Sequence, residues 1–423
     1  MTTPDPERPS PLHSAALHAS SALGGHGSGS SHSAALHASS TLRYDGGGLA
    51  SVLPRAAASI GVPLLPGTTH EVAAEQATFP AARQAVVVLI DGLGYELLSA
   101  RAGHAPYLRT LLATGTSLRC GFPSTTATSM GTFGTGLPPG AHGLVGYEVL
   151  DPDRDVIFNE LSWEDGPHPE TWQPHPTVFE AAAADGVHVT RVGPWFFDGS
   201  GLTRSALRGG TFVAAKTLPE RVEATLTALR AARRSLVYLY WGDLDKIGHV
   251  HGCGSWQWLE ELEAVDAQLR RLAAALPPHA ALYVTADHGM IDCPFEDRLD
   301  LATEPELVAG TRHIAGEARA RMIYCRPGAT QDVAAAWTSR LAGTGHVVTR
   351  DQAIAAGWYG APSDIRDAVR ERIGDLIVVM TGPGAVVDSR RDRPELLALL
   401  GLHGSVTDVE TAIPLLTQPP ERS

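Results

Sequence analysis

The chain has 423 residues, 43% apolar and 19% charged, a balance that suits a globular enzyme and excludes wholesale disorder. A net charge of −13 leaves no basic surplus to displace counterions from a nucleic acid backbone, so no nucleic acid polymer is expected as a partner. The longest apolar run is too short for a bilayer and "MTTPDPERPS" opens no apolar signal core, so no membrane is expected and the cytoplasm is the expected location.

In chain order, "HSAALHASS" occurs at residues 13–21 and again at 32–40 around a Gly/Ser stretch, so residues 1–42 read as a disordered, low-complexity tail. Its histidines lack the regular spacing of a metal site. Beyond Arg43, "AVVVLI" (85–90), "HVTRVG" (188–193), "SLVYLYW" (235–241) and "ALYVTA" (281–286) read as buried strands. Trp258, Leu262, Val265, Leu269, Leu272 and Leu276 recur at helical spacing on one face. Strands alternating with helices predict a largely parallel sheet, with chemistry beyond the strands' carboxyl ends. "ARMIYCR", "DVAAAWTSRLAG", "GHVVT" and "IRDAVRERIGDLIVVM" suggest a small α/β cap inserted over residues 296–375. Cys120, Cys253, Cys293 and Cys325 are scattered without a CxxC pair, which argues against both a disulfide framework and a thiolate zinc site.

The strand ends carry metal-ligand residue types. "LIDGLG" delivers Asp91, "WGDLDKIGH" delivers Asp243, Asp245 and His249, and "TADHGM" delivers Asp287 and His288; His403 follows in "GLHGS". Taken singly, Asp91 reads equally as a turn residue, Asp243 or Asp245 as a helix cap, and His288 or His403 as loop polar groups. Jointly they form an oxygen and nitrogen donor set for two divalent ions, zinc first and manganese second. Asp245 and His249, four apart, share one helix face. In "FPSTTATSMGTFGTG" (122–136) a threonine at a helix start becomes a nucleophile when its hydroxyl meets a metal, while the other hydroxyls are expected to cap the free amides.

The blocks "VVVLIDGLG", "FPSTTATSMGTFGTGLPPGAHGLVGY", "GDLDKIGHVHG", "TADHGM" and "GLHGS" resemble, in content and order, the type I phosphodiesterase and nucleotide pyrophosphatase family of the alkaline phosphatase superfamily, over about Ala85 to Ser405. The resemblance implies an alkaline-phosphatase-like three-layer α/β/α sandwich, with residues 43–295 and 376–423 forming the catalytic domain. It singles out Thr126 as nucleophile, with Thr125 the runner-up. It places one zinc on Asp91, Asp287, His288 and Thr126, and the other on Asp245, His249 and His403, leaving Asp243 and His251 outside. The implied activity is hydrolysis of phosphodiester or nucleotide pyrophosphate bonds in a small phosphorylated substrate, such as a nucleotide, through a phosphothreonine. The chain departs at Tyr147, a substrate-binding position where the family has asparagine, which keeps a phosphomonoesterase or a phosphonate hydrolase open beside a silent metal-binding protein. His142 is expected to be structural. Trp195, Phe196 and Phe197 are expected in the core, with stacking on a base or aryl group the alternative.

Overall fold

Long apolar runs bounded by turn residues can bury both faces only inside a covered parallel sheet, and the computed structural model builds one from them. It describes residues 42, 44, 47–63 and 79–421; apart from Leu42, the expected tail and its histidine repeat lie outside these. The strands of its two larger sheets, in chain order, are β1 (Gln84–Ile90), β2 (Thr116–Arg119), β3 (His188–Gly193), β4 (Thr211–Ala214), β5 (Ser235–Trp241), β6 (Ala280–Thr285), β7 (Thr311–Glu317), β8 (Ala320–Cys325), β9 (Gly345–Thr349), β10 (Leu376–Met380) and β11 (Ala412–Gln418); three two-stranded sheets accompany them. Seven of them form the main sheet in the order β2-β11-β6-β1-β5-β3-β4. Its central strand β1 is buried at every residue and pairs in parallel with β5 and β6. The exception to parallel pairing is β11, which runs antiparallel between β2 and β6 and was not apparent from its sequence, where Pro414 interrupts the pattern.

Register sets the site. Ile90 is level with Trp241, and Leu89 with Thr285, so the residues that follow all three strands emerge side by side at one edge. Three helices matter here: α1 (Thr126–Thr135), α2 (Asp243–His251) and α3 (Trp256–Ala274). The predicted apolar face of α3 is buried through Leu272, but the helix stops at Ala274, so Leu276 packs only partly, from the loop beyond. Ser255 caps its start by accepting from the Trp258 amide.

The other four strands form a separate antiparallel sheet in the order β7-β8-β10-β9, with its own core around Ile323, Trp337, Leu376 and Val378. This sheet includes β10, so it runs to Met380, past the expected cap boundary at 375. The four cysteines are buried and unpaired. No helix among the described residues is long and apolar enough to cross a membrane.

Candidate active site

At the shared edge, Asp91 leaves β1 into a tight turn. Gly92 adopts φ +70° there, and its amide donates to Asp287 Oδ1 at 3.2 Å. A Cβ at Gly92 would stand 3.0 Å from Asp245 Cβ, so the close approach requires glycine. Asp287 Oδ1 also accepts from the His288 amide at 3.0 Å. From β5, the Tyr240 hydroxyl donates to Asp91 Oδ2 at 2.5 Å. One turn apart on α2, Asp245 Oδ2 and His249 Nε2 lie 3.2 Å apart.

Three histidines share one orientation. Nδ1 of His249 faces Gly401 O (2.6 Å), that of His288 faces Gly289 O (2.9 Å), and that of His403 faces Ser124 O (2.8 Å). A carbonyl can only accept, so each ring carries its proton on Nδ1 when neutral and turns the Nε2 lone pair inward. His288 Nε2 lies 3.4 Å from both Asp91 Oδ1 and Asp287 Oδ2, and 3.2 Å from Thr126 Oγ1. His403 Nε2 lies 4.0 Å from Asp245 Oδ1, and its ring stacks on His288 with centroids 3.7 Å apart.

Two groups of donor atoms result, Asp91 with Asp287 and His288, and Asp245 with His288 and His403, each within 4.8 Å of one another. His288 stands between them, and His249 reaches the second through Asp245. Asp91 Oδ1, Asp245 Oδ1 and Asp287 Oδ2 are buried without a hydrogen-bond partner among the described residues. Their ion pairs there are with histidine alone. Burial, then the charges of Asp287 and Asp245, push the Asp91 carboxyl well above its ordinary value. Burial and Asp245 raise Asp287 to about 7. Burial also opposes charge on Asp245 and His249, but their mutual attraction wins, lowering Asp245 and raising His249 to about 9. Burial and His288 hold His403 well below the usual imidazole range. Bare carboxylate oxygens crowded in a buried site are costly unless a cation joins them. The residues therefore fit divalent metal.

The hydroxyl run differs from expectation. Thr125 is the N-cap of α1, yet no side chain caps this helix. The hydroxyls brace the loops that carry His403 and Asp287 instead. Ser124 Oγ donates to Ser405 O at 2.7 Å and accepts from the Gly404 amide at 3.0 Å, while Ser129 Oγ donates to Asp287 O at 2.8 Å. Ser124 and Ser129 thus act as ties rather than caps, and the helix's first amides stay open to an anion.

The remaining predicted residues divide. Asp243 is turned to Lys246 at 2.8 Å and His251 is exposed, both away from the cluster. His142 is buried, accepting at Nδ1 from the Leu144 amide (3.1 Å) with Nε2 3.0 Å from Thr132 Oγ1. The expectation of core packing fails for Trp195 and Phe196, which are 76% and 56% exposed, because the short 3-10 turn after β3 points them outward. Phe197 packs on Tyr240 at 5.1 Å. Tyr147 lines a cavity of about 500 Å³ with Phe158, Asn159, Arg154, Arg391 and Arg393. Tyr240 was not marked by the sequence, and Ser124 and Ser129 were marked only as helix caps, since each acts through a partner more than a hundred residues away.

Comparison with known proteins places this arrangement. The bovine ectonucleotide pyrophosphatase/phosphodiesterase family member 3 is 27% identical over 233 residues, 51% of this chain and 26% of that protein. Venom phosphodiesterase 2 of Crotalus adamanteus is 26% identical over 210 residues, 47% of this chain and 24% of that one. The chain thus spans about a quarter of the length of these curated relatives. Among solved structures, an inactive murine ectonucleotide pyrophosphatase/phosphodiesterase 5 in complex with AMP superposes with TM-score 0.64 at 20% identity, covering 80% of this chain and 88% of that one. Phosphonoacetate hydrolase from Sinorhizobium meliloti 1021, in complex with phosphonoformate, gives 0.61 at 19%, covering 82% and 94%. The fold is therefore alkaline-phosphatase-like. The model of the type I phosphodiesterase / nucleotide pyrophosphatase family matches residues 85–406, and the chain belongs to that family.

Proposed function

We propose that the chain is a metal-dependent hydrolase of phosphate esters, acting on phosphodiester or nucleotide pyrophosphate bonds, with Thr126 as its nucleophile. The observation that carries this reading is the set of three unpartnered, buried carboxylate oxygens gathered beside Thr126 and His288. Asp91, Asp287, His288 and Thr126 would hold one ion and Asp245, His249 and His403 the other, with zinc suited to this donor set. When bound, such a pair lowers the pKa of a hydroxyl and offsets charge on the entering and leaving oxygens. Thr126 Oγ attacks phosphorus in line, the ester oxygen opposite departs, and a phosphothreonine remains for water to hydrolyse. The uncapped start of α1 offers amide donors to the phosphoryl oxygens. The exposed Trp195 and Phe196 stand beside Phe197, which packs on the Tyr240 that holds Asp91, and are suited to carry a base or aryl group.

Tyr147 in place of the family's asparagine, together with the phosphonoacetate hydrolase likeness, favours a second reading, a phosphomonoesterase or phosphonate hydrolase on the same residues. Metal analysis and rates on matched aryl phosphate monoesters, diesters and phosphonates separate the two: diester preference supports the first, and preference for either other class the second. Thr126→Ala is expected to abolish turnover while retaining most of the bound metal. Full turnover in that variant would remove Thr126 from the chemistry.

A further inference from the structure

The small antiparallel sheet touches the candidate site directly. Its β7–β8 hairpin reaches the loop that carries His403 and grips it at two points. At the first, Arg319 is fully buried and pairs with Glu410 through two hydrogen bonds of 2.7 Å. Glu410 in turn accepts from the Ser405 amide at 3.0 Å and the Thr407 hydroxyl at 2.5 Å. At the second, Glu317, the last residue of β7, packs against Gly404 so closely that a Cβ there would meet its carboxyl carbon at 2.6 Å. Gly404 has φ +126°, so both its conformation and its neighbour require glycine.

The Glu317 carboxylate lies between two parts of the site. Thr125, the residue before the proposed nucleophile, brings its hydroxyl beside this carboxyl group, whose Oε2 lies 3.5 Å from His403 Nδ1. Ser124 O and Glu317 thus face His403 from the same side, and two acceptors at Nδ1 favour the tautomer whose Nε2 lone pair points at Asp245. No other charged side chain of the small sheet is ion-paired to one of the seven candidate residues.

We infer that Glu317 is a positioning residue of the metal centre, tying the start of α1 to His403 and making the small sheet part of metal binding. This rests on the proposed dinuclear site. Outer carboxylates of this kind typically change metal affinity about 10- to 100-fold when removed.

The test measures zinc affinity by chelator competition in the full chain, together with thermal unfolding of the metal-free forms. In Glu317→Ala, one of two zinc affinities is expected to fall about 10- to 100-fold, while the metal-free melting temperature stays near that of the wild type. Glu317→Gln keeps an acceptor for Thr125 and is expected to recover most of the affinity. Thr125→Val removes the hydroxyl and is expected to weaken the same site even if Glu317→Ala proves unstable. Two zinc ions held with wild-type affinity by Glu317→Ala, or by Thr125→Val should the former not fold, overturn the inference alone. A wild-type chain that holds no divalent ion overturns the proposed function with it.

Discussion

Replacing Asp287 by asparagine should stabilise the metal-free protein and abolish its stabilisation by metal. Asp287 is fully buried, and in the absence of an ion burial and the Asp245 charge raise its carboxyl from 3.8 to about 7. Between those values the folded protein holds a proton that the unfolded chain has released, so stability falls as pH rises through that window. At about 1.4 kcal/mol per pH unit, the ionised group costs the metal-free fold about 4 kcal/mol above pH 7. An asparagine Oδ1 can still accept from the Gly92 and His288 amides, and its NH2 replaces the Oδ2 that has no partner. Urea unfolding in the presence of chelator should therefore find Asp287→Asn more stable than wild type by roughly 3 to 4 kcal/mol at pH 8, narrowing to about 1 kcal/mol at pH 4.5. With zinc added the order should reverse, because ligand binding stabilises only the form that binds it. A metal-free Asp287→Asn less stable than wild type at pH 8 would falsify the claim that carboxylate crowding opposes the empty fold.

Ser124→Ala strands the Gly404 amide and Ser405 carbonyl, and should cost about 2 to 4 kcal/mol in denaturant midpoint together with a weaker zinc affinity. Stability unchanged within 0.5 kcal/mol, a typical surface value, would mean the hydroxyl ties are incidental. Trp195→Ala is expected to raise KM about 5- to 100-fold for a nucleoside-containing diester, the equivalent of one stacked base, and to affect a small alkyl ester less; equal effects on both would exclude stacking. Leu262→Ala in the fully buried stripe of α3 should lose about 2 to 5 kcal/mol of stability while zinc stoichiometry holds, as calorimetry and metal analysis can check.

Local chemistry made the central strands and the candidate ligands at their ends legible. β1, β5 and β6 are continuous apolar runs that have no other way to hide both faces, and each is followed by residues that break the strand and carry an acid or imidazole. The i, i+4 pair Asp245 and His249 was readable for the same reason, since helical spacing alone puts both on one face. Pattern was a poorer guide where one segment depends on another: β11 holds its place between β2 and β6 although Pro414 breaks its alternation, and Trp195 and Phe196 look like core but face outward.

The sequence by itself determined which atoms could bind metal and which edge of the sheet would present them, because side-chain chemistry and strand periodicity are local properties. Only the tertiary structure decided what each polar group answers to. Ser124 meets Ser405 across 281 positions, Tyr240 meets Asp91 across 149, and Glu317 comes to His403 from a different sheet. Such partners are selected by packing and strand register, so no stretch of sequence around either member of a pair records them.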